Sequence, residues 1–112
     1  MNGAIKAMTI QPVPVERDNS GWWTHPDYLS EYEDEITEAQ FDDWCTRNLV
    51  ETKVSHMESD VDPDVFETYM NDGQVDCSGW VIQHPVEPGW FPLSIHDTED
   101  GPVCVWGRRV AS

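Results

Sequence analysis

Six tryptophans, three tyrosines and three phenylalanines stand in a chain whose other statistics are those of a disordered one, with formal charge −16 and mean hydropathy −0.57. Low hydropathy and high net charge leave little apolar surface to offset the entropy of ordering, yet acidic disordered chains lack aromatics. Large rings are what let so polar a chain bury a core, since each removes on the order of 150–250 Å² from water. The chain is therefore read as folded. At 112 residues and 12.8 kDa it has the size of one domain with one modest core. Trp44, Trp80 and Trp106 are its expected aromatic members.

Charge is distributed as unevenly as the rings. Sixteen of the 22 acidic residues fall between Asp27 and Asp76, against two bases, Arg47 and Lys53, so this stretch holds −14 of the total −16. Such a field reaches several kT over the nearby surface, repels nucleic acid and lipid headgroups, and attracts basic protein surfaces. The expected partner is a protein with a basic surface; neither direct nucleic-acid binding nor membrane association is expected, and charge sets no oligomeric state. Apolar runs reach two or three residues, as in Trp80-Val81-Ile82, where a bilayer span takes about 20. Met1 to Ile10 holds one lysine and no apolar block of signal-peptide length, which points to the cytoplasm, and Met8 is an alternative start. Cys45, Cys77 and Cys104 are odd in number, widely spaced and without a C-x-x-C pair. That is the pattern of a reducing compartment with three buried or half-buried free thiols.

Local patterning predicts an α+β fold: a small antiparallel sheet of three or four strands, ending in a C-terminal hairpin, packed against two short helices. Residues 1–21, with Pro12, Pro14 and Gly21, are expected to form an extended arm ahead of a single acidic domain over 22–112. Within the arm, Val13-Pro14-Val15 suits an edge strand or a polyproline stretch. Trp22-Trp23-Thr24-His25-Pro26 is expected to open a helical turn, with Pro26 at its first position and Asp27 in its first turn. Thr37 and Gln40 form a capping box flanked by Ile36 and Phe41 as a hydrophobic staple. A helix from Glu38 to about Asn48 follows, with Phe41, Trp44, Cys45 and Asn48 on one face and Glu38, Asp42 and Asp43 on the other.

Residues 49–57 alternate as a half-buried strand, Val50, Thr52, Val54 and His56 on one side. Asp62-Pro63-Asp64 starts a second helix as cap, first position and dipole-matched acid, and Asp72-Gly73 ends it. Phe91, Leu93 and Ile95 alternate, Asp97-Thr98-Glu99-Asp100-Gly101 supplies a turn of about five residues, and Val103 and Val105 alternate again. Trp80-Val81-Ile82 is a candidate further strand. The sheet of 49–57, 90–96 and 102–109 is expected to pack against the helix over 38–48.

No motif specifies a reaction. Asp60, Asp62 and Asp64 imitate the first three ligands of a calcium-binding EF-hand loop, but Val65 stands where the sharp turn needs Gly and Asn71 where a bidentate Glu chelates. Helix capping explains these residues better. His96, Asp97 and Cys104 are the one cluster a hairpin register brings together, and no short-spaced ligand pairs accompany them. The isolated glycines lack phosphate-cradling spacing. The expectation is therefore no catalytic residue, no metal, no cofactor and no enzymatic activity.

Surface recognition remains. Trp22, Trp23 and Trp90 sit beside Gly or Pro in expected loops, where they either complete the core or, with at least one ring partly exposed, anchor a partner. Asp34 or Glu35 with Glu38 and Asp42, and Asp43 beside them, form one acidic row; Asp60, Asp62 and Asp64 form another. The segments Val13-Pro14-Val15-Glu16-Arg17-Asp18, Trp23-Thr24-His25-Pro26-Asp27, Gly89-Trp90-Phe91 and Ser94 through Trp106 resemble small accessory proteins encoded by lambdoid phages and prophages of enteric bacteria. The likeness lies at the two ends of the chain, and the acidic middle departs from it. It implies a setting, the cytoplasm of an infected or lysogenic bacterium, and carries no assigned activity. Two functions are expected from these features: a non-enzymatic module binding a host or phage protein, or an inhibitor imitating nucleic acid, whose duplex carries one charge per about 1.7 Å, on a host DNA- or RNA-binding or defence protein.

Overall fold

The computed structural model describes residues 9–32, 35–73 and 76–110. Its elements are β1 (Trp23–Thr24), α1 (Glu38–Asn48), β2 (Val50–His56), α2 (Met57–Asp60), α3 (Pro63–Asn71), β3 (Phe91–Thr98) and β4 (Gly101–Arg109). Among the described residues the strands form one antiparallel sheet in the order β1-β3-β4-β2. With three short helices against it, the fold is α+β.

α1 begins where its capping chemistry directs. Thr37 Oγ1 accepts the Gln40 N–H at 3.1 Å, and Gln40 Oε1 accepts the Thr37 N–H at 2.8 Å, satisfying two donors that a helix start leaves open. Ile36 and Phe41, the staple residues, are half-buried. The helix buries Trp44 and Asn48 and turns Glu38, Asp42 and Asp43 to solvent. Leu49 alone, left-handed at φ 56°, carries the chain from helix into β2.

The sheet is covered on both faces, which is why β4 is buried without a break from Gly101 to Gly107. On one face Cys104, Trp106 and Ile95 pack with Met57, Tyr69 and Trp80, and Trp80 is 0% exposed. On the other, Val105, Val50, Phe91 and Leu93 pack with Trp44 of α1 and Ile10. α1 and α3 thus lie on opposite faces. Phe91, Leu93 and Ile95 do not share one side, because the register slips at Leu93: Pro92 faces Trp106, Ser94 faces Val105 and Leu93 is the extra residue. That bulge turns Ile95 to the opposite cluster.

Several local expectations are corrected. Trp23 and Thr24 are strand and not part of a turn: Trp23 pairs with Ile95 and Thr24 with Ser94, and the His25 N–H donates to the Leu93 carbonyl at 2.8 Å. The expected turn does begin at Pro26, where the Tyr28 N–H donates to the His25 carbonyl at 3.0 Å, and turns continue to residue 31. The free edge of β3 captures Trp23 and Thr24 ahead of it, a long-range pairing that overrides local propensity. Val13-Pro14-Val15 and Trp80-Val81-Ile82 form no strand. The Trp80 indole instead donates to Asp60 Oδ2 at 3.1 Å. The hairpin loop is two residues, Glu99-Asp100, because Thr98 pairs with Gly101, whose φ of 110° closes the turn. Asp62 occupies the N-cap of α3, with Pro63 first in the helix, but its side chain makes no cap hydrogen bond.

The described part of the arm, residues 9–21, is tied to the domain. Ile10 is buried, and its N–H donates to Asn48 Oδ1 at 2.8 Å. Arg17 donates to the carbonyls of Gly21 (2.9 Å), Trp80 (2.5 Å) and Cys77 (3.0 Å). Arg109 donates to those of Asn48 and Ile10. Cys77 and Cys104 are buried free thiols, and Cys45 is half-buried.

Candidate functional site

Where the bases go decides where the negative field is left. Of the five described bases, Arg17 and Arg109 turn inward onto main-chain carbonyls. Arg47 pairs with Glu31 and Asp43, Lys53 with Glu87 and Arg108 with Glu51. Among the described residues, no base pairs with Glu58, Asp60, Asp62, Asp64, Glu67, Asp72 or Asp76, nor with Asp97, Glu99 or Asp100. These acids gather where α2 and α3 meet the β3–β4 turn, and that end of the molecule is an acid pole.

Packing fixes the pole in place. Phe66 of α3 lies against Gly101, where a Cβ would come within 2.7 Å of the ring. Tyr69 donates its hydroxyl to Asp97 Oδ1 at 3.0 Å; burial first, then this bond, pushes its phenol pKa up. Two open grooves flank α3. One, of about 490 Å³, has half-buried Phe66 and Met70 as its apolar part and His56, Glu58, Ser59, Glu99 and Asp100 around them. The other, of about 400 Å³, has buried Met57 and Tyr69 as its apolar floor and exposed Val65, Asp64, Asp72 and Asp76 around it. Carboxylates around apolar floors suit a ligand with cationic groups beside apolar ones.

The residues singled out in the sequence are distributed unequally with respect to this pole. Asp62 and Asp64 are exposed at the start of α3, while Asp60 is half-buried under the Trp80 bond. Glu35, Glu38, Asp42 and Asp43 are exposed near or on α1, across the sheet, where Arg47 at 2.8 Å neutralises Asp43. Asp34 lies outside the described residues. The two acidic rows therefore face different directions. Trp22 and Trp23 are half-buried, with Trp22 edge-on to Tyr69 and Trp23 to His25.

Trp90 is no exposed anchor: it is 7% exposed and belongs to the core, the other of the two roles open to the loop tryptophans. The Arg108 guanidinium lies 4.6 Å from its ring centre and Lys53 at 5.7 Å, while its N–H donates to Glu87. Glu58, Glu67, Asp72, Asp76, Glu99 and Asp100 belong to the pole without standing out as site candidates in the sequence. Their exposure was legible in the sequence, but their convergence depends on how the hairpin turn meets α3.

The hairpin register does not bring His96 and Cys104 together. Cys104 pairs with Ile95, and His96 with Val103, so the bulged ladder sets His96 and Cys104 on opposite faces. Ser94 Oγ lies 2.9 Å from His96 Nδ1, a hydroxyl–imidazole pair that the sequence reading did not raise. Ser94 is buried, and Asp97, the adjacent carboxylate, is engaged by Tyr69 instead of orienting the imidazole. Among the described residues no group of three or more His, Cys, Asp or Glu is placed to hold a metal ion, and no helix is long and apolar enough to cross a membrane. No protein-family model, curated protein or solved structure matches this chain.

Proposed function

We propose that this chain is a non-enzymatic binding module whose acid pole receives a basic segment of a partner protein, in the cytoplasm of a bacterium carrying a phage or prophage. The observation that carries the reading is the α3 surface, where unpaired carboxylates rim grooves with apolar floors. Rim charges steer a basic partner and set its rate of arrival, while apolar floors supply contacts that persist once it has docked. The tagged protein is expected to retain a basic protein from a bacterial lysate, identified by mass spectrometry. Reversing Asp64, Glu67 and Asp72 to lysine should slow association steeply at low salt and little at high salt. Retention that survives the triple reversal, or turnover dependent on a single His or Cys, would overturn the reading.

Nucleic-acid mimicry is the second reading, and the run of acids along α3 favours it. Asp62, Asp64, Glu67 and Asp72 lie on or beside α3 within about 15 Å of helix axis, three intervals averaging about 5 Å against about 3.4 Å along a single DNA strand. Mimicry demands that DNA compete for the same surface of the retained partner. A partner that holds DNA and this protein together eliminates it. The apolar floors place mimicry second, because a phosphate backbone offers nothing equivalent to them.

A further inference from the structure

β2 is the last strand of the sheet, and its seven residues pair with β4 alone, from Val50 against Arg109 to His56 against Val103. Among the described residues no further hydrogen bond covers its outer edge. The opposite edge, β1, is two residues long. A seven-residue open edge is a template for another strand unless something blunts it. Lysine is a common guard, and Lys53 stands near the middle of this one. Its effect depends on what lies opposite.

We propose that β2 is a homodimer interface, pairing antiparallel with β2 of a second copy about a two-fold axis at Thr52. In that register Thr52 faces its own counterpart, Glu51 faces Lys53 of the second copy, and Val50 faces Val54. Every opposed pair within the five-residue overlap, 50–54, is compatible: like with like at Thr52, opposite charges flanking it, and two valines beyond. Sliding by two residues sets Lys53 against Lys53 in one direction and Glu51 against Glu51 in the other, and like charges directly opposed destabilise a ladder. Lys53 and Glu51 thus select one register instead of closing the edge.

Two further observations support the second copy as occupant. Val54 is 48% exposed although it shares a sheet face with Val50, which is 5% exposed beneath Trp44. The proposed register moves each Val54 beside the other copy's Val50, extending that apolar cluster across the axis. On the other face, Arg108 holds Glu51 at 2.8 Å and Lys53 reaches Glu87 at 3.4 Å. Pairing joins these contacts into a row of alternating sign, Arg108, Glu51, then Lys53 and Glu87 of the second copy.

A net charge of −16 per copy opposes any self-association. The antiparallel arrangement limits part of that repulsion, because it sets the acidic helix that follows each β2 at Glu58 at opposite ends of the paired strands, away from its counterpart.

The test is sedimentation equilibrium of the full chain, with disulfide trapping of the register. At about 0.15 M salt, where the Debye length is about 8 Å, the unmodified chain should show a concentration-dependent dimer. Opposed residues of an antiparallel pair lie about 4.5–5.5 Å apart at Cα, within disulfide reach. Mild oxidation should therefore cross-link Thr52→Cys, but neither Val54→Cys nor the unmodified chain. Lys53→Glu should weaken the dimer about tenfold, and Glu51→Lys combined with Lys53→Glu should restore it. Because Glu51 and Lys53 also have partners within the monomer, the Thr52→Cys trap decides the register independently of them. A monomer at all concentrations, including one whose edge only another protein's strand occupies, would overturn the proposal. So would a dimer that Thr52→Cys fails to trap.

Discussion

Arg17 is one residue on which two distant parts of the chain depend. Its guanidinium bridges Gly21, Cys77 and Trp80 carbonyls, and Gly21 approaches so closely that a Cβ there would lie 2.8 Å from the Ser78 nitrogen. Hydrogen bonds to a charged group contribute about 1.5–3 kcal/mol net. Arg17→Ala should therefore cost about 3 kcal/mol in urea denaturation, and Arg17→Lys should recover only part, since an ammonium lacks the planar fork. A loss under about 1 kcal/mol would mean that the described arm is not fastened there. Burial also sets an alkaline limit. It pushes the Cys104 thiol from 9.0 up to about 12 and the Tyr28 phenol from 10.0 up to about 12. A raised folded-state pKa gives stability that is full below the unfolded value and lost as pH rises through the folded one. Urea midpoints should hold to about pH 9 and fall from there toward pH 12, and Cys104→Ala should flatten that fall. An unchanged slope in the variant would remove Cys104 from the explanation. None of this was legible from single residues: Trp90 reads as core or as loop anchor until Arg108 and Lys53 are seen over its ring.

Elements were legible to the extent that their signals were local. α1 carries its own start in Thr37 and Gln40, and Thr37→Ala should cost about 1 kcal/mol of thermal or urea stability, with Thr37→Ser restoring most of it. Indifference to Thr37→Ala would show that Trp44 packing alone holds the helix. β2 and the β3–β4 hairpin were readable from alternation and a turn signal, and the expected placement of the sheet on α1 is observed. What failed was non-local. The two residues of β1 carry no periodicity and become a strand only because β3 offers an edge. The Leu93 bulge breaks an alternation that a period of two cannot reveal as broken. A sheet covered on both faces also hides Trp80, which looked like part of a strand and instead packs over Trp106's face as irregular chain. The candidate site shares this limit. Asp62 and Asp64 were visible as a row, but the contribution of Glu99 and Asp100 depends on Phe66 seating against Gly101.

At the scale of the whole molecule, two electrostatic effects oppose each other when salt is added. Screening weakens the exposed pairs of Arg47, Lys53 and Arg108, each worth about 0–1 kcal/mol. It also relieves repulsion among acids that no described base neutralises, and these outnumber the pairs, so relief should win. Raising salt from about 0.01 to about 0.15 M shortens the Debye length from about 30 to about 8 Å, and the melting temperature should rise. A gain of about 1 kcal/mol corresponds to roughly 4–6 °C for a domain of this size. Asp72 localises the effect. It caps the C-terminus of α3, where the helix dipole is negative and the last turn holds no base, so charge and dipole are mismatched by about 0.3–1 kcal/mol. Asp72→Lys should raise the melting temperature at low salt, with the advantage shrinking as salt is added. If the unmodified chain melts at the same temperature across the series, or the Asp72→Lys gain is independent of salt, the pole is not under repulsive strain. If both respond as expected, the acids of α3 are held against the interest of folding, as the binding role proposed for the pole requires.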